Sequence, residues 1–193
     1  MTDELVLSGS SMFKRWTIFL DRDGTLIKAI PRPDFIKQVT APFFFHELEF
    51  VPKVKEVLAG MKEMGYLRIM VTNQPDVTHG YMSQKEWDDI HNTVIDELKL
   101  DDYYMCRHTA DDDCPYKKPS PMMLIAAADK WGIDLKNSIM IGDTRTDMLT
   151  GRAAGCKTIL VRGLTPGLNY NHNRDGIADL EIDNLSDLLI TGD

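Results

Sequence analysis

Short apolar runs recur along the chain and are separated by amphipathic segments. The runs at residues 16–20, 67–72 and 138–142 are rich in aliphatic and β-branched side chains, and their length favours buried strands. Because such strands and the intervening helices alternate at least four times, the pattern predicts an α/β fold, a parallel sheet with helices on both faces. Weaker strand patterns in the same alternation lie at residues 103–106, 157–161 and 180–182.

The amphipathic segments carry recognisable helix ends. Ser83 is a predicted N-cap, and Glu86, three residues later, completes a capping box for a helix that reaches about Leu98. Residues 28–50 contain three prolines and an aromatic run, which predicts a loop excursion with a short hairpin. The other predicted helices cover residues 54–64, 121–131 and 147–154, with a short last helix from Ser186.

Length and charge narrow the picture further. The 193 residues are enough to bury a sizeable core, so residues 13–193 are expected to form a single domain behind a flexible tail of residues 1–12. The net charge of −8 argues against a nucleic-acid partner. An acidic chain that binds a phosphate ester needs a metal ion or a local group of cations, and such a group should be recognisable in the sequence.

No segment has the pattern of a membrane span or an export signal. The apolar runs stay far below spanning length, and no basic region precedes an apolar stretch near the N-terminus. We therefore expect no signal peptide, no membrane partner and a cytoplasmic protein. The three cysteines argue against a disulfide framework.

A pair of aspartates follows the first predicted strand. Asp21 and Asp23 repel each other unless a cation or a proton separates them, and Gly24 allows the backbone to turn sharply behind them. Mg²⁺ prefers oxygen ligands of this kind. Asp21 could bind the metal through one oxygen and attack phosphorus with the other. The alternative is an aspartate at a strand-to-turn junction that only caps a helix.

Two other segments could bind phosphate oxygens. Thr72 and Asn73 end a predicted strand and offer a hydroxyl, an amide and backbone N–H groups, although such a pair is often only a turn. Lys117 and Lys118 precede a proline, and either ammonium could stabilise a phosphoryl group in transfer. The alternative for the lysines is a solvated surface pair.

Asp143 and Asp147 follow the strand at residues 138–142. Asp143 could be the second metal carboxylate. Asp147 lies about one helical turn further on, so it could support Asp143 or stabilise the helix N-terminus. Because ligands bind at the carboxyl ends of parallel strands, the fold is expected to bring Asp21, Thr72 and Asp143 to one edge of the sheet.

These motifs together resemble those of the haloacid-dehalogenase (HAD) superfamily of phosphohydrolases. The resemblance rests on DRDGTL at residues 21–26, VTNQ at residues 71–74, Lys118, and GDTRTD at residues 142–147. It covers residues 14–190 and is closest to subfamily IIIA, the branch of heptose-1,7-bisphosphate phosphatases and histidinol-phosphatase domains. It implies a Rossmann-like fold with little or no cap domain.

The resemblance also implies a mechanism. Asp21 would form an aspartyl-phosphate, and Asp23 would protonate the leaving oxygen and then activate water. Mg²⁺ would be held by the carboxylates of Asp21 and Asp143 and the backbone carbonyl of Asp23. Thr72 and Lys118 would stabilise the phosphoryl group. The implied partner is a small-molecule phosphate ester, and the protein would be a monomer or a small homo-oligomer.

A cysteine and histidine loop departs from the pattern of those relatives in one position. Cys106, His108 and Cys114 keep the C-x-H-x5-C-x-C spacing of their zinc loop, but Tyr116 stands at the fourth ligand position. Structural Zn²⁺ almost always has four protein ligands. Either an acidic residue among 111–113 or a water completes a zinc site, or the loop has lost its metal.

The substrate side is less constrained. Pro75 lacks an N–H donor, and Asp76 would repel a second phosphate group. The leading substrate is a small sugar phosphate such as D-glycero-D-manno-heptose 1,7-bisphosphate. The alternatives are histidinol phosphate, a 3′-phosphate at a polynucleotide end, and a non-catalytic binding protein on the same fold. Expected substrate contacts are Arg22, Asn73, Gln74, Lys117 and Arg145.

Overall fold

The computed structural model describes residues 15–35, 39–163 and 176–189. The expected tail over residues 1–12 lies outside these ranges. Within them, none of the helices has the length and apolar character needed to cross a membrane.

A parallel sheet of six strands forms the centre of the molecule, as the sequence predicts. Its strand order is β5-β4-β1-β6-β7-β8, and every neighbouring pair is parallel. A separate antiparallel pair, β2 and β3, forms the hairpin expected in the excursion after β1. The strands are β1 (Thr17–Leu20), β2 (Ile30–Pro31), β3 (Val39–Thr40), β4 (Leu67–Asn73), β5 (Asp102–Cys106), β6 (Ile139–Gly142), β7 (Lys157–Val161) and β8 (Leu180–Ile182).

Helices cover both faces of the sheet. They are α1 (Val54–Glu63), α2 (Gln84–Leu98), α3 (Met122–Trp131) and α4 (Arg145–Ala154). Successive residues of a strand point to opposite faces, so β1 contributes to two cores. Ile18 and Leu20 pack in the core that α1 and α2 cover, whereas Phe19 packs in the core that α3 covers. The sheet is therefore buried from both sides, and its carboxyl edge carries the polar side chains.

Three helix ends differ from the predictions. Ser83 caps α2 by accepting the N–H of Glu86 at 3.1 Å, but the Glu86 carboxylate does not close the capping box. It accepts the N–H of Phe45 at 2.6 Å and so ties α2 to the turn after the hairpin. Helix α4 begins earlier than expected, because Thr144 is its N-cap. The last helix is a 3-10 turn, Leu185–Leu188.

Candidate active site

The polar residues predicted to meet at one sheet edge do so. Asp21 follows β1, Thr72 lies near the end of β4, and Asp143 follows β6, and these three strands are adjacent. The N–H of Asp21 donates to the carbonyl of Ile141 at 2.9 Å, which fixes the start of the loop after β1 against β6. The carboxyl ends of the three central strands therefore form the floor of the site.

Lys118 lies at the centre of this site. Its Nζ donates to Asp21 Oδ1 at 2.8 Å, to Asp147 Oδ1 at 2.5 Å and to the carbonyl of Val71 at 3.0 Å. The side chain is almost fully buried, so Lys118 is not a solvated surface lysine. Burial alone would lower the pKa of Lys118, but the carboxylates of Asp147 and Asp21 outweigh it and hold the pKa above its usual value. A permanent ammonium group therefore faces the nucleophile candidate.

Three carboxylates crowd around that single cation. Oxygens of Asp21, Asp143 and Asp147 lie within 4.8 Å of one another. Burial, followed by the charge of Asp147, raises the pKa of Asp21 to about 6. Burial, followed by the charges of Asp21 and Asp147, raises the pKa of Asp143 well above its usual value. The cluster carries more negative charge than Lys118 neutralises, which favours the binding of a divalent cation.

The contacts of the three carboxylates separate their roles. Asp147 Oδ1 accepts from Lys118, and its Oδ2 accepts from the N–H and the hydroxyl of Thr144 at 3.1 and 2.6 Å. Asp147 thus holds Lys118 and closes the capping box of α4, which fits the helix N-terminus interpretation, while its contact with Lys118 was not among the sequence interpretations. By contrast, Asp143 Oδ1 is buried without a hydrogen-bond partner among the described residues. The donor set that fits a hard cation is therefore Asp143 with the second oxygen of Asp21.

Gly24 gives Asp143 its space. Its φ is +86°, a left-handed conformation that glycine adopts without strain. A Cβ built on Gly24 would lie 2.1 Å from Asp143 Oδ2. The motif thus needs glycine both for the turn and for the close approach of the Asp143 carboxylate.

Asp23 is held by two buried donors. The Gln74 Nε2 atom donates to Asp23 Oδ2 at 2.6 Å and to Thr72 Oγ1 at 2.9 Å, and Arg22 Nε lies 3.2 Å from both carboxylate oxygens of Asp23. Both Arg22 and Gln74 are 0% exposed. Neither side chain reaches the surface of the site, so the geometry favours an indirect role over the direct substrate contact expected from the sequence. They contact Asp23 instead.

The remaining expected substrate contacts are Asn73, Lys117 and Arg145. Asn73 Oδ1 accepts the backbone N–H of Lys118 at 3.0 Å, and Asn73 Nδ2 donates to the backbone carbonyl of Lys118 at 3.1 Å. These two bonds position the loop that carries Lys118. Lys117 Nζ donates to the carbonyl of His108 at 2.6 Å. Arg145 is exposed at the start of α4, beside Thr144. Among the residues expected to contact substrate, Arg145 is exposed, and Asn73 and Lys117 are partly exposed.

The cysteine and histidine loop brings its three candidate ligands together. Cys106 Sγ lies 3.5 Å from Cys114 Sγ and 3.6 Å from His108 Nδ1. Tyr116 is exposed, and the Asp112 carboxylate accepts from Thr109. The three ligand atoms lie close enough for one metal ion to contact them all.

Several bacterial proteins resemble this chain over most of its length. The D-glycero-beta-D-manno-heptose-1,7-bisphosphate 7-phosphatase of Vibrio cholerae serotype O1 is 31% identical over 187 residues, which cover 89% of this chain and 92% of that protein. The enzyme of the same name from Haemophilus influenzae is 34% identical and covers 89% of this chain and 93% of its own length. Residues 115–187 also match a family model described as HAD-hydrolase-like. The chain belongs to the HAD-like phosphatases.

A solved structure shows the same fold. The D,D-heptose 1,7-bisphosphate phosphatase from B. bronchiseptica, complexed with magnesium and phosphate, superposes with a TM-score of 0.70. It is 23% identical and covers 89% of this chain and 94% of its own. As a HAD-like phosphatase, the chain is a hydrolytic enzyme, which confirms the family, fold class and reaction type expected from the motifs. The interpretation as a non-catalytic binding protein is not supported.

The contact between Gln74 and Thr72 was not predicted, although the sequence carried a usable signal for it. Thr72 and Gln74 are two positions apart at the end of β4, and extended backbone places such residues on the same side. That spacing could have placed the Gln74 amide beside Thr72 rather than toward substrate. No comparable signal identifies the buried position of Arg22, whose side chain is long enough to reach water from most loops.

Proposed function

We propose that the protein hydrolyses a small sugar phosphate, with D-glycero-D-manno-heptose 1,7-bisphosphate as the leading substrate. The names of relatives that cover about nine-tenths of the chain support the substrate class. The observation that carries the chemistry is the buried Lys118 ammonium between Asp21 and Asp147, next to the unpartnered Asp143 oxygen. This arrangement suits a carboxylate nucleophile whose attack builds negative charge on phosphorus oxygens.

The proposed reaction has two steps that share one set of side chains. Asp21 attacks phosphorus and forms an aspartyl-phosphate, while Asp23 gives its proton to the leaving oxygen. Asp23 then takes a proton from the water that releases phosphate from Asp21. Thr72 and Lys118 face the transferring group and stabilise its charge.

The metal that fits this site is Mg²⁺. Asp21, Asp143 and the backbone carbonyl of Asp23 would hold it, since carboxylate and carbonyl oxygens are its preferred ligands. Bound there, Mg²⁺ supplies positive charge to the phosphoryl oxygens and to the crowded carboxylates. The buried, unpartnered oxygen of Asp143 and the space that Gly24 leaves around it support the assignment.

A substrate panel tests the proposed function. Turnover with Mg²⁺ would be compared for heptose 1,7-bisphosphate, the corresponding monophosphates, histidinol phosphate and a 3′-phosphorylated oligonucleotide. We expect the largest kcat/KM for a heptose phosphate. The monophosphates show whether Asp76 weakens binding of a second phosphate. A clear preference for histidinol phosphate or for the oligonucleotide would overturn the substrate assignment, and equally poor turnover of every ester would do the same.

We expect Mg²⁺ affinity to fall as pH drops below about 6. Burial and Asp147 raise the pKa of Asp21 to about 6, so below that pH the metal must displace a proton from this carboxyl group. For one displaced proton, affinity falls by about tenfold per pH unit. Asp143, whose pKa is also raised, steepens the dependence. Calorimetric titration at pH 7 and pH 5, in two buffers with different ionisation enthalpies, measures both the affinity and the released protons. Equal affinity at both pH values would contradict the prediction.

Gly24→Ala is expected to weaken Mg²⁺ binding by at least about tenfold. The new methyl group would overlap Asp143 Oδ2 and displace that carboxylate. Gly65→Ala is a matched control, because Gly65 has a φ of +85° but nothing within 4 Å of a built Cβ. Both variants should lose about 1–2 kcal/mol of unfolding free energy from left-handed strain. Only Gly24→Ala should lose metal affinity, as measured by Mg²⁺-dependent thermal shift.

We further propose that Cys106, His108 and Cys114 bind Zn²⁺, with a water as the fourth ligand. Their mutual distances support the site, while the exposed Tyr116 explains why a protein fourth ligand is missing. Protein purified without added metal should contain about one zinc per chain. The double variant Cys106→Ser, Cys114→Ser should lose it. A ratio near zero in the unmodified protein would refute the proposal.

A further inference from the structure

The Gln74 side chain links the acid/base candidate to the phosphate-binding hydroxyl. Its amide nitrogen donates to Asp23 at 2.6 Å and to Thr72 at 2.9 Å. An amide nitrogen carries two hydrogens, so each contact uses one of them. The Gln74 backbone N–H also donates to the carbonyl of Cys106 at 2.7 Å, which fixes the residue at the end of β5. Gln74 thus sets the distance between Asp23 and Thr72 from a rigid position in the fold.

Arg22 holds the same carboxylate from its other side. Arg22 Nε lies 3.2 Å from both oxygens of Asp23, and Nη2 lies 3.2 Å from Oδ1. In the described part of the chain, Asp23 is the acidic residue within ion-pair distance of this buried guanidinium group. His91 adds no competing positive charge beside Arg22, because burial and then the charge of Arg22 lower the pKa of His91 to about 4. The orientation of Arg22 is therefore set toward Asp23.

We propose that Gln74 and Arg22 are positioning residues that fix the Asp23 carboxyl group for both of its proton transfers. This inference rests on the proposed function, in which Asp23 is the acid and base. Neither side chain has exposed surface, so both act through Asp23 rather than by touching substrate. A carboxyl group held by two donors keeps one orientation, whereas an unsupported one rotates between several.

The balance of the two steps shows why one orientation matters. In the first step the bond from Asp21 oxygen to phosphorus forms and the bond from phosphorus to the ester oxygen breaks. The ester oxygen takes the proton of Asp23. In the second step a water oxygen bonds to phosphorus, Asp23 takes a proton of that water, and the bond from phosphorus to Asp21 breaks. The leaving oxygen in the first step and the attacking water in the second lie at nearly the same position beside phosphorus. An Asp23 carboxyl group held in one orientation can therefore transfer a proton in both steps.

Leaving-group dependence tests this role independently of the natural substrate. p-Nitrophenyl phosphate releases a stable anion that needs little protonation, whereas phenyl phosphate needs a proton donor. In single-turnover experiments with Mg²⁺, Gln74→Met should slow cleavage of phenyl phosphate by about 10- to 100-fold and leave cleavage of the nitrophenyl ester within about threefold. In a separate experiment with the nitrophenyl ester in excess, nitrophenolate should appear in a burst equal to the enzyme concentration, because hydrolysis of the intermediate also needs Asp23.

Matched variants separate positioning from general loosening of the fold. Gln84→Met makes the same change at an exposed glutamine of α2 and should leave both esters unaffected. Arg22→Lys keeps the positive charge but loses the contact with both carboxylate oxygens of Asp23. It should therefore slow phenyl phosphate more than the nitrophenyl ester, by a smaller factor than Gln74→Met does. Arg68→Met removes another buried arginine, paired with Asp101 at the opposite end of β4, and should lower stability without changing the ratio between the two esters.

Several outcomes would overturn the inference. Equal slowing of both esters in Gln74→Met, or no slowing of either, would do so. If Arg68→Met changed the ratio of the two ester cleavage rates as much as Arg22→Lys does, general loosening of the fold would be the cause. Asp23→Asn distinguishes this failure from failure of the proposed function. If Asp23→Asn lacks the leaving-group effect, the acid/base role itself is wrong. If only the Arg22 and Gln74 variants lack it, the positioning role is wrong.

Discussion

Asp21→Asn is expected to lower turnover by at least about 10⁴-fold while the fold stays intact. An amide cannot form the aspartyl-phosphate, and removal of a covalent nucleophile commonly has effects of this size or larger. Stability should not fall, because the carboxylate is crowded in the folded protein. Burial and the charge of Asp147 raise its pKa to about 6, so a neutral side chain relieves repulsion. The asparagine carbonyl can still accept from Lys118.

The measurement is steady-state turnover of the best ester in the panel, together with thermal unfolding. Asp89→Asn is the matched control, since Asp89 lies on α2 and pairs with the surface residue Lys85. It should retain full activity. A phosphorylated form trapped by rapid acid quench should be found in the unmodified enzyme and be absent from Asp21→Asn. Substantial turnover by Asp21→Asn would refute covalent catalysis at this residue.

The overall architecture and the charged cluster could be predicted because they depend on short patterns. Apolar runs that end at Asp21, Thr72 and Asp143 predict parallel strands, and parallel strands bring their carboxyl ends to one edge. The cluster then follows from topology rather than from side-chain detail. Lys118 lies in a loop, and the sequence marked it as a possible cation for a phosphoryl group, but its ion pairs with Asp21 and Asp147 depend on the path of that loop.

Contacts that depend on the direction of a single side chain could not be predicted. Arg22 and Lys117 are both cations beside the motifs, yet one is buried against Asp23 and the other binds a carbonyl of its own loop. Glu86 sits at the position of a capping-box partner, but the nearby turn offers it the N–H of Phe45. The partner of Glu86 comes from a distant segment of the chain, whereas the partners of Arg22 and Lys117 are near in sequence and depend on which of several directions a long side chain takes.

The contact made by the Asn73 side chain, at the end of β4, could not be predicted from the local sequence either. Its place after Thr72 suggested a direct contact with substrate, but its amide is matched on both ends by the backbone of Lys118. The partner lies 45 residues away, and the match requires the loop that carries Lys118 to return to the end of β4. Asn73 therefore supports the lysine whose removal has the second largest expected effect.

Lys118→Met is expected to cost both stability and activity. The ammonium is almost fully buried and bonded to Asp21, Asp147 and the carbonyl of Val71. Removing one partner of a buried ion pair typically destabilises a protein by about 3–5 kcal/mol, because the other charge stays buried. Loss of the same charge from the phosphoryl group should lower kcat by about 10²- to 10³-fold. Denaturant unfolding of EDTA-treated protein and turnover with Mg²⁺ measure the two effects.

The pH dependence of the Lys118→Met variant shows whether crowded carboxylates cause the loss. Asp21 and Asp143 already have raised pKa values in the folded protein, and loss of the cation removes a group that lowers both. Folded carboxyl groups then bind protons at a pH where unfolded ones do not, so stability of the variant should increase as pH falls from 7 toward 5. Added Mg²⁺ should restore part of the stability at pH 7. Lys130 is an exposed lysine paired with Asp102, so the control variant Lys130→Met should show neither effect. A stability loss in Lys118→Met that changes with neither pH nor Mg²⁺ would mean that packing, rather than charge, is what the lysine provides.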